Sequence, residues 1–189
     1  MQEAVRHFNE VAVFESLDMI SGRLLPELGG SEKHLDILGI NYYGSNQWVL
    51  GEDEIALAHD DPRRISFHDI VSHVYKRFGH EMVITETSHD GDMRAPWFRH
   101  IAEEVETLLN EGVPVRGVCL YPILGMPLWH EQNSWKHMGL WDLDVARDLE
   151  RVRHDPLCDA LRDWQERLRP ISVSQFAKTG DLRVAPKLI

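Results

Sequence analysis

Basic residues are scarce in this chain. Lys and Arg number 20 against 31 Asp and Glu, giving a formal net charge of −11. Such a chain repels phosphate backbones and anionic bilayers, so neither nucleic acid nor a membrane surface is an expected partner. Cysteine is rarer still. Cys119 lies in an apolar run and Cys158 in a helical pattern, and both read as reduced core residues rather than a disulfide frame. No apolar stretch approaches the roughly 20 residues that span a bilayer. The opening residues lack the charged-then-apolar pattern of a signal peptide. These features together predict a reducing, cytoplasmic setting.

Phosphate loops and metal motifs are missing too. Gly29-Gly30 precedes a strand pattern rather than a helix, which is the wrong context for cradling phosphate. The 11 histidines form neither His-x-His nor His-Glu-x-x-His. They are expected to scatter over the surface, and no metal or other cofactor is implied.

What is present is an alternation of strands and helices. At 189 residues and 43% hydrophobic content, the chain can bury one sizeable core. Residues 3–20 read as a helix with Val5, Phe8, Ala12 and Leu17 at helical spacing. Residues 35–43 (LDILGINYY) read as a strand, apolar on both faces as parallel strands are. A polar, irregular stretch follows over 44–64. Ser66, with Asp69 three residues on, starts a helix whose stripe is Ile70, Val71, Val74 and Phe78, and Gly79 stops it. Residues 82–87 form the next strand. Asp92 and Pro96 open a helix with Phe98, Ile101, Ala102, Val105, Leu108 and Leu109 inward, ending at Gly112. Residues 115–124 form a further strand. A loop rich in aromatics and His fills 125–141. A last helix begins near Asp155-Pro156, and the tail from Pro170 shows no clear period. Strands alternating with helices in this way predict a parallel α/β sheet with right-handed crossovers.

The chemistry concentrates at the strand ends. The run Met82-Val83-Ile84-Thr85-Glu86-Thr87-Ser88 carries a carboxylate to the end of a buried strand, and His89-Asp90-Gly91-Asp92 follow at once. In parallel α/β proteins the carboxyl ends of strands form the mouth where ligands bind. Burial nearby can tune such a group as nucleophile, base or acid. Its plainer alternatives are a helix cap or an ion pair with an Arg. Trp48, Trp129, Trp135 and Trp141 lie in the neighbouring loops, where they can stack on sugar rings or simply pack the loops. His89 and the aspartates after it can line the pocket or cap the next helix.

Three segments stand in order: Gly39-Ile40-Asn41-Tyr42-Tyr43, Ile84-Thr85-Glu86, and the run Gly112-Val113-Pro114-Val115-Arg116-Gly117 leading into the last strand; Gly139-Leu140-Trp141-Asp142 follows the loop. Together they resemble the last strands of (β/α)8-barrel glycosidases, above all the β-glucosidase-like family 1 glycoside hydrolases and their clan relatives. The resemblance spans residues 35–143. It implies a partial TIM barrel comprising about the last three βα units over 1–169, with 170–189 as a tail. It also implies Glu86 as nucleophile of a retaining double displacement, Tyr43 as its hydrogen-bond partner, Asn41 shaping the sugar pocket, and Tyr121 where the family usually has a Trp. Two departures stand out. Thr87-Ser88 replaces the family's Asn-Gly, and Leu128-Trp129 replaces its Glu-Trp pair, with His130 and Glu131 just beyond. Trp129, His89 and Glu131 are therefore the candidate sugar contacts, and a carbohydrate is the expected substrate.

Glycoside hydrolysis uses two carboxyl groups, about 5–5.5 Å apart in a retaining site. The resemblance places the acid on a fourth strand, and no such strand precedes residue 35. Asn9-Glu10 sits in a helical pattern with no Pro after it. A full barrel needs at least ~200 residues and usually about 250. The chain is thus expected to be the C-terminal portion of a larger barrel, catalytically poor alone, partnered by the missing N-terminal portion or a further copy of itself. Two other functions fit the same residues: a non-catalytic carbohydrate-binding or interaction fragment, and a metal-dependent barrel hydrolase using the histidines.

Overall fold

The computed structural model describes residues 1–51, 55–131 and 133–177. Its centre is a three-stranded parallel sheet of β1 (Ile37–Asn41), β2 (Glu81–Thr87) and β3 (Val115–Leu120), in that order. Helix α3 (Phe67–Phe78) connects β1 to β2, and α4 (Arg94–Asn110) connects β2 to β3. Ser66 caps α3 by accepting the Asp69 amide, and Gly79 ends it at φ 73°, a left-handed turn that a side chain would strain.

Both helices lie on one face of the sheet. Leu38 of β1 and Tyr42 just after it, Met82 and Ile84 of β2, and Val115 of β3 pack against Phe67, Val71 and Phe78 of α3 and Trp97, Ile101, Val105 and Leu108 of α4. Helix α4 also turns Ala95, Phe98 and Ala102 toward Leu157, Ala160 and Trp164 of α5 (Asp155–Ala177). It therefore belongs to two apolar clusters at once. Helix α5 carries Pro170 in its interior, so the helix continues into the stretch where the sequence shows no period.

The opposite face of the sheet is bare. Ile37, Gly39, Asn41, Thr85 and Cys119 are all exposed there. The strands are covered on one face only, which corrects the expectation that both faces of residues 35–43 are buried. Cys119 is corrected with it: the pleat turns its thiol to the bare face, whereas Cys158 is half-buried. Toward the amino ends of the strands, Arg116 pairs with Glu81.

Other expectations shift in detail. The helix read over 3–20 is broken. Val11, at φ −121° and ψ −65°, ends α1 (Gln2–Glu10), a 3-10 turn follows, and α2 (Glu15–Ile20) resumes. Phe14 is the apolar side chain this unit buries, among Phe78 and the Arg77 guanidinium, while Val5 and Ala12 stay exposed. Glu10 ends α1 and faces His73 of α3 at 3.5 Å. The last strand stops at Leu120, and a cis Tyr121–Pro122 peptide follows. The long aromatic loop contains a small antiparallel ladder, β4 (Met126–Pro127) with β5 (Trp135–Lys136), and a second follows it, β6 (Trp141–Asp144) with β7 (Glu150–Arg153).

The one-sided core predicts contrasting mutant stabilities. Ile101 is fully buried between sheet and helix, so Ile101→Ala should cost about 2–5 kcal/mol. Ile37 is 51% exposed on the bare face, so Ile37→Ala should stay within about 0.5 kcal/mol. Urea unfolding of the two variants measures the difference; equal losses would mean that the bare face is covered in solution.

Candidate active site

The site forms where β1 and β2 end. Along β1 the pleat alternates: Leu38 and Tyr42 face the helices, while Asn41 and Tyr43 face away. Strict alternation along β2 would put Glu86 on the helix side with Met82 and Ile84. The register prevents this. Ile40 pairs with Ile84 but Asn41 pairs with Glu86, so Thr85 is an extra residue. A bulge of this kind re-aims the side chains beyond it. Thr85 and Glu86 escape the apolar layer, and Thr87 becomes the buried one. Gly39 makes room for the bulge, since a Cβ there would stand 3.0 Å from the Thr85 methyl carbon.

The re-aimed carboxylate meets a phenol. Tyr43 Oη donates to Glu86 Oε2 at 2.9 Å. Among the described residues this is the side-chain hydrogen bond that reaches Glu86. Burial raises the Tyr43 phenol pKa well above its ordinary value, and the Glu86 hydrogen bond and charge add to the rise. Tyr121 and Cys119 lie close enough to contribute as well. Tyr43 therefore stays protonated and donating at any physiological pH. Beside the pair, Thr85 Oγ1 donates to Asn41 Oδ1 at 2.6 Å. Backbone bonds fix the strand ends, from Tyr42 N to the Glu86 carbonyl at 2.9 Å and from Tyr121 N to the Thr87 carbonyl at 3.2 Å.

The residues after Glu86 act as anchors. Trp97 Nε1 donates to the buried Thr87 Oγ1 at 2.8 Å, and Ser88 Oγ donates to the Met138 carbonyl at 2.7 Å. The Thr87-Ser88 departure thus fastens β2 to α4 and to the aromatic loop. That loop is laced down further. Arg94, 5% exposed, donates to the Gly91 and Gly139 carbonyls and grips both Asp142 oxygens at 3.1 Å. Asp90 accepts Lys136 Nζ at 3.0 Å and the His137 amide at 2.9 Å. Burial pushes the Asp90 carboxyl up, but Lys136 with the His137 and Gly91 amides outweighs it and holds the carboxyl below its ordinary value.

The structure brings Tyr43, Glu86, Asn41 and Tyr121 to one mouth. Three other candidates lie elsewhere. Trp129 is 77% exposed at the end of the β4–β5 hairpin, and Glu131 lines a shallow hollow there with His130, Asn133 and Ser134. His89 turns to the indole of Trp97, with ring centres 5.8 Å apart. His59 and His100 join it at 5.6 and 6.1 Å, so these histidines are gathered rather than scattered. Sequence spacing cannot show this, because they come from a loop, a strand end and a helix. Among the described residues, no group of three His, Cys, Asp or Glu side chains is arranged to hold a metal ion.

No protein-family model matches the chain, and no curated protein matches it. Solved structures do resemble it. A β-glucosidase from Thermotoga maritima, in complex with castanospermine, aligns with a TM-score of 0.55 at 18% identity over 84% of this chain and 41% of that one. The same enzyme with galacto-hydroximolactam gives 0.53 at 20% identity over 66% and 33%. A β-glucosidase from Exiguobacterium marinum gives 0.52 at 18% identity over 70% and 35%. The fold is β-glucosidase-like. The chain spans only about a third to two-fifths of those enzymes. No helix among the described residues is long and apolar enough to cross a membrane.

The lacing of the loop can be tested directly. Arg94→Met leaves Asp142 without its guanidinium and should cost about 2–3 kcal/mol. The expected sign is faster trypsin cleavage after Lys136, with Arg94→Lys in between. Acid should loosen the same loop. The Asp90 carboxyl is held low, so its contribution is complete above its unfolded value near ~3.9 and is lost as pH falls through the lower folded value. The hydrogen-exchange protection of the His137 amide should therefore drop below about pH 4, and constant protection would refute the Asp90 role.

Proposed function

We propose that this chain is the C-terminal portion of a retaining, β-glucosidase-like glycoside hydrolase barrel, with Glu86 as the nucleophile on O-glycosidic bonds. The observation that carries the reading is the contact of Tyr43 with Glu86 at the carboxyl ends of adjacent parallel strands. The likeness of the fold to β-glucosidases supports it. Tyr43 holds the carboxylate toward the bare face, placed to attack an anomeric carbon from one side of a sugar. Asn41 and Tyr121 lie at the same mouth and serve sugar hydroxyls and ring faces. Trp129 and Glu131, on the hairpin, reach the substrate only if the sugar extends outward, so they are assigned to its outer part.

The general acid, in this reading, comes from strands outside the 189 residues. The chain alone then has the attacking group without the group that protonates the leaving oxygen, and loss of a positioned acid costs typically 10²–10⁴-fold in rate. A leaving group that departs as a stable anion needs no such help. A 2-deoxy-2-fluoro glucoside with a dinitrophenolate leaving group should therefore form a covalent adduct on Glu86, seen as a mass increase of the peptide that contains it. Ordinary alkyl glucosides should turn over very slowly. Glu86→Gln should abolish the adduct, and Tyr43→Phe should slow its formation about 10-fold or more while leaving the protein folded. Saturable glucose binding without any adduct would favour the carbohydrate-binding fragment instead. An adduct on another residue would sink the assignment of Glu86.

A further inference from the structure

A second cavity lies on the helix side of the sheet, apart from the Tyr43–Glu86 mouth. It is a half-open hollow of about 310 Å3, and Tyr42, Phe67 and Trp97 form its aromatic floor. Its walls carry Arg64, His59 and His100, and α3 begins at its edge with Ser66 and Phe67.

Arg64 and the two histidines share this cavity with Asp60 and Asp61. Arg64 Nη1 donates to the Gly44 and Leu57 carbonyls, each at 2.9 Å, and Nη2 reaches the Tyr42 hydroxyl at 3.4 Å. All of these acceptors are neutral. Arg64, His100 and His89 each oppose protonation of His59, whose pKa is lowered first by burial and then by these neighbours. The start of a helix adds partial positive charge on the same side. The opposing groups are few. Asp61 already takes three hydrogen bonds from Arg63, through its backbone and guanidinium. The Asp69 carboxylate is engaged by Ser66 and His68, and Glu104 accepts the His68 amide. Asp60, at the cavity wall, is the carboxylate that favours His59 protonation.

We propose that this cavity is a binding site for a small oxyanion, a sulfate, phosphate or carboxylate group, held by Arg64 and His59 with His100 beside them. Guanidinium and imidazolium donors give oxyanions charge-assisted hydrogen bonds, which are the strong ones. A bare net-acidic surface would repel the same ligand, so retention depends on this local cluster. The cavity is large enough for an oxyanion carried on a small organic body, and the aromatic floor suits one.

Sulfate is the probe of choice, because it keeps its charge across the range in which histidine titrates, whereas phosphate changes its own. Tryptophan fluorescence of the full chain, titrated with sodium sulfate at constant ionic strength, should show saturable binding that is tighter near pH ~5.5 than near pH ~8. Arg64→Gln should weaken binding about 10-fold or more. Asp60→Asn should tighten it, and His59→Gln should remove most of the pH dependence. Because Arg64 also braces the loop through its carbonyl contacts, His59→Gln decides the matter should Arg64→Gln fail to fold. Phenyl sulfate binding more tightly than sulfate identifies an organic carrier as the ligand, and equal affinities identify the free ion. An equal response to sodium chloride, an Arg64→Gln variant that folds and binds unchanged, or a His59→Gln variant that keeps the full pH dependence would overturn the proposal. None of these outcomes bears on Glu86, so the site reading above stands or falls separately.

Discussion

One extra residue in β2 determines what this fold presents to a ligand. Without the register shift at Thr85, Glu86 would follow Met82 and Ile84 into the apolar layer beneath the helices. An ionised carboxylate there would be costly to desolvate and would titrate upward or unfold the strand. The bulge turns that liability into a half-buried acid on the bare face, within 2.9 Å of a phenol from the neighbouring strand. The same shift sends Thr87 inward, where its hydroxyl takes the Trp97 indole proton. A single irregularity thus aims the acid outward and ties its strand inward.

Trp97 makes the tie possible. It sits at the start of α4, the helix that belongs to both apolar clusters, and stacks at 5.7 Å on Tyr42. Tyr42 and Tyr43 are neighbours just after β1 with opposite facings. Packing on the helix side therefore fixes the backbone that aims the Tyr43 hydroxyl on the other side. The two faces of the sheet are mechanically coupled through a dipeptide, although they present different chemistry.

Much of this was legible from residues alone. The order of strands and helices follows from periodicities that the core realises, such as Val71 and Phe78 on α3 and Ile101, Val105 and Leu108 on α4. The pairing of Tyr43 with Glu86 was legible only through resemblance, because spacing says nothing about which strands are adjacent. Three things were hidden. The Thr85 bulge leaves no local mark, since a Thr-Glu-Thr run fits either register. The bare face is invisible because an apolar strand reads the same whether one or both of its faces are covered, and so Cys119 was misplaced. The gathering of His59, His89 and His100 around Trp97 is a tertiary fact, created by a loop returning over α4.

The bare face connects the fold to its chemistry. Polar side chains such as Asn41 and Thr85 bond to each other there rather than to a covering layer, and Glu81 pairs with Arg116 at the opposite end. A face that carries charge and hydroxyls cannot serve as the core of a closed small domain, because burying it against apolar groups would strand those polar atoms. Under the proposed function it would line a wet cavity whose other walls are strands of the same kind. Each such wall would bring its own carboxyl-end residues to the rim where Glu86 and Tyr43 already point. A second carboxyl group would then arrive by topology, at the mouth, without any change in the three strands that are here.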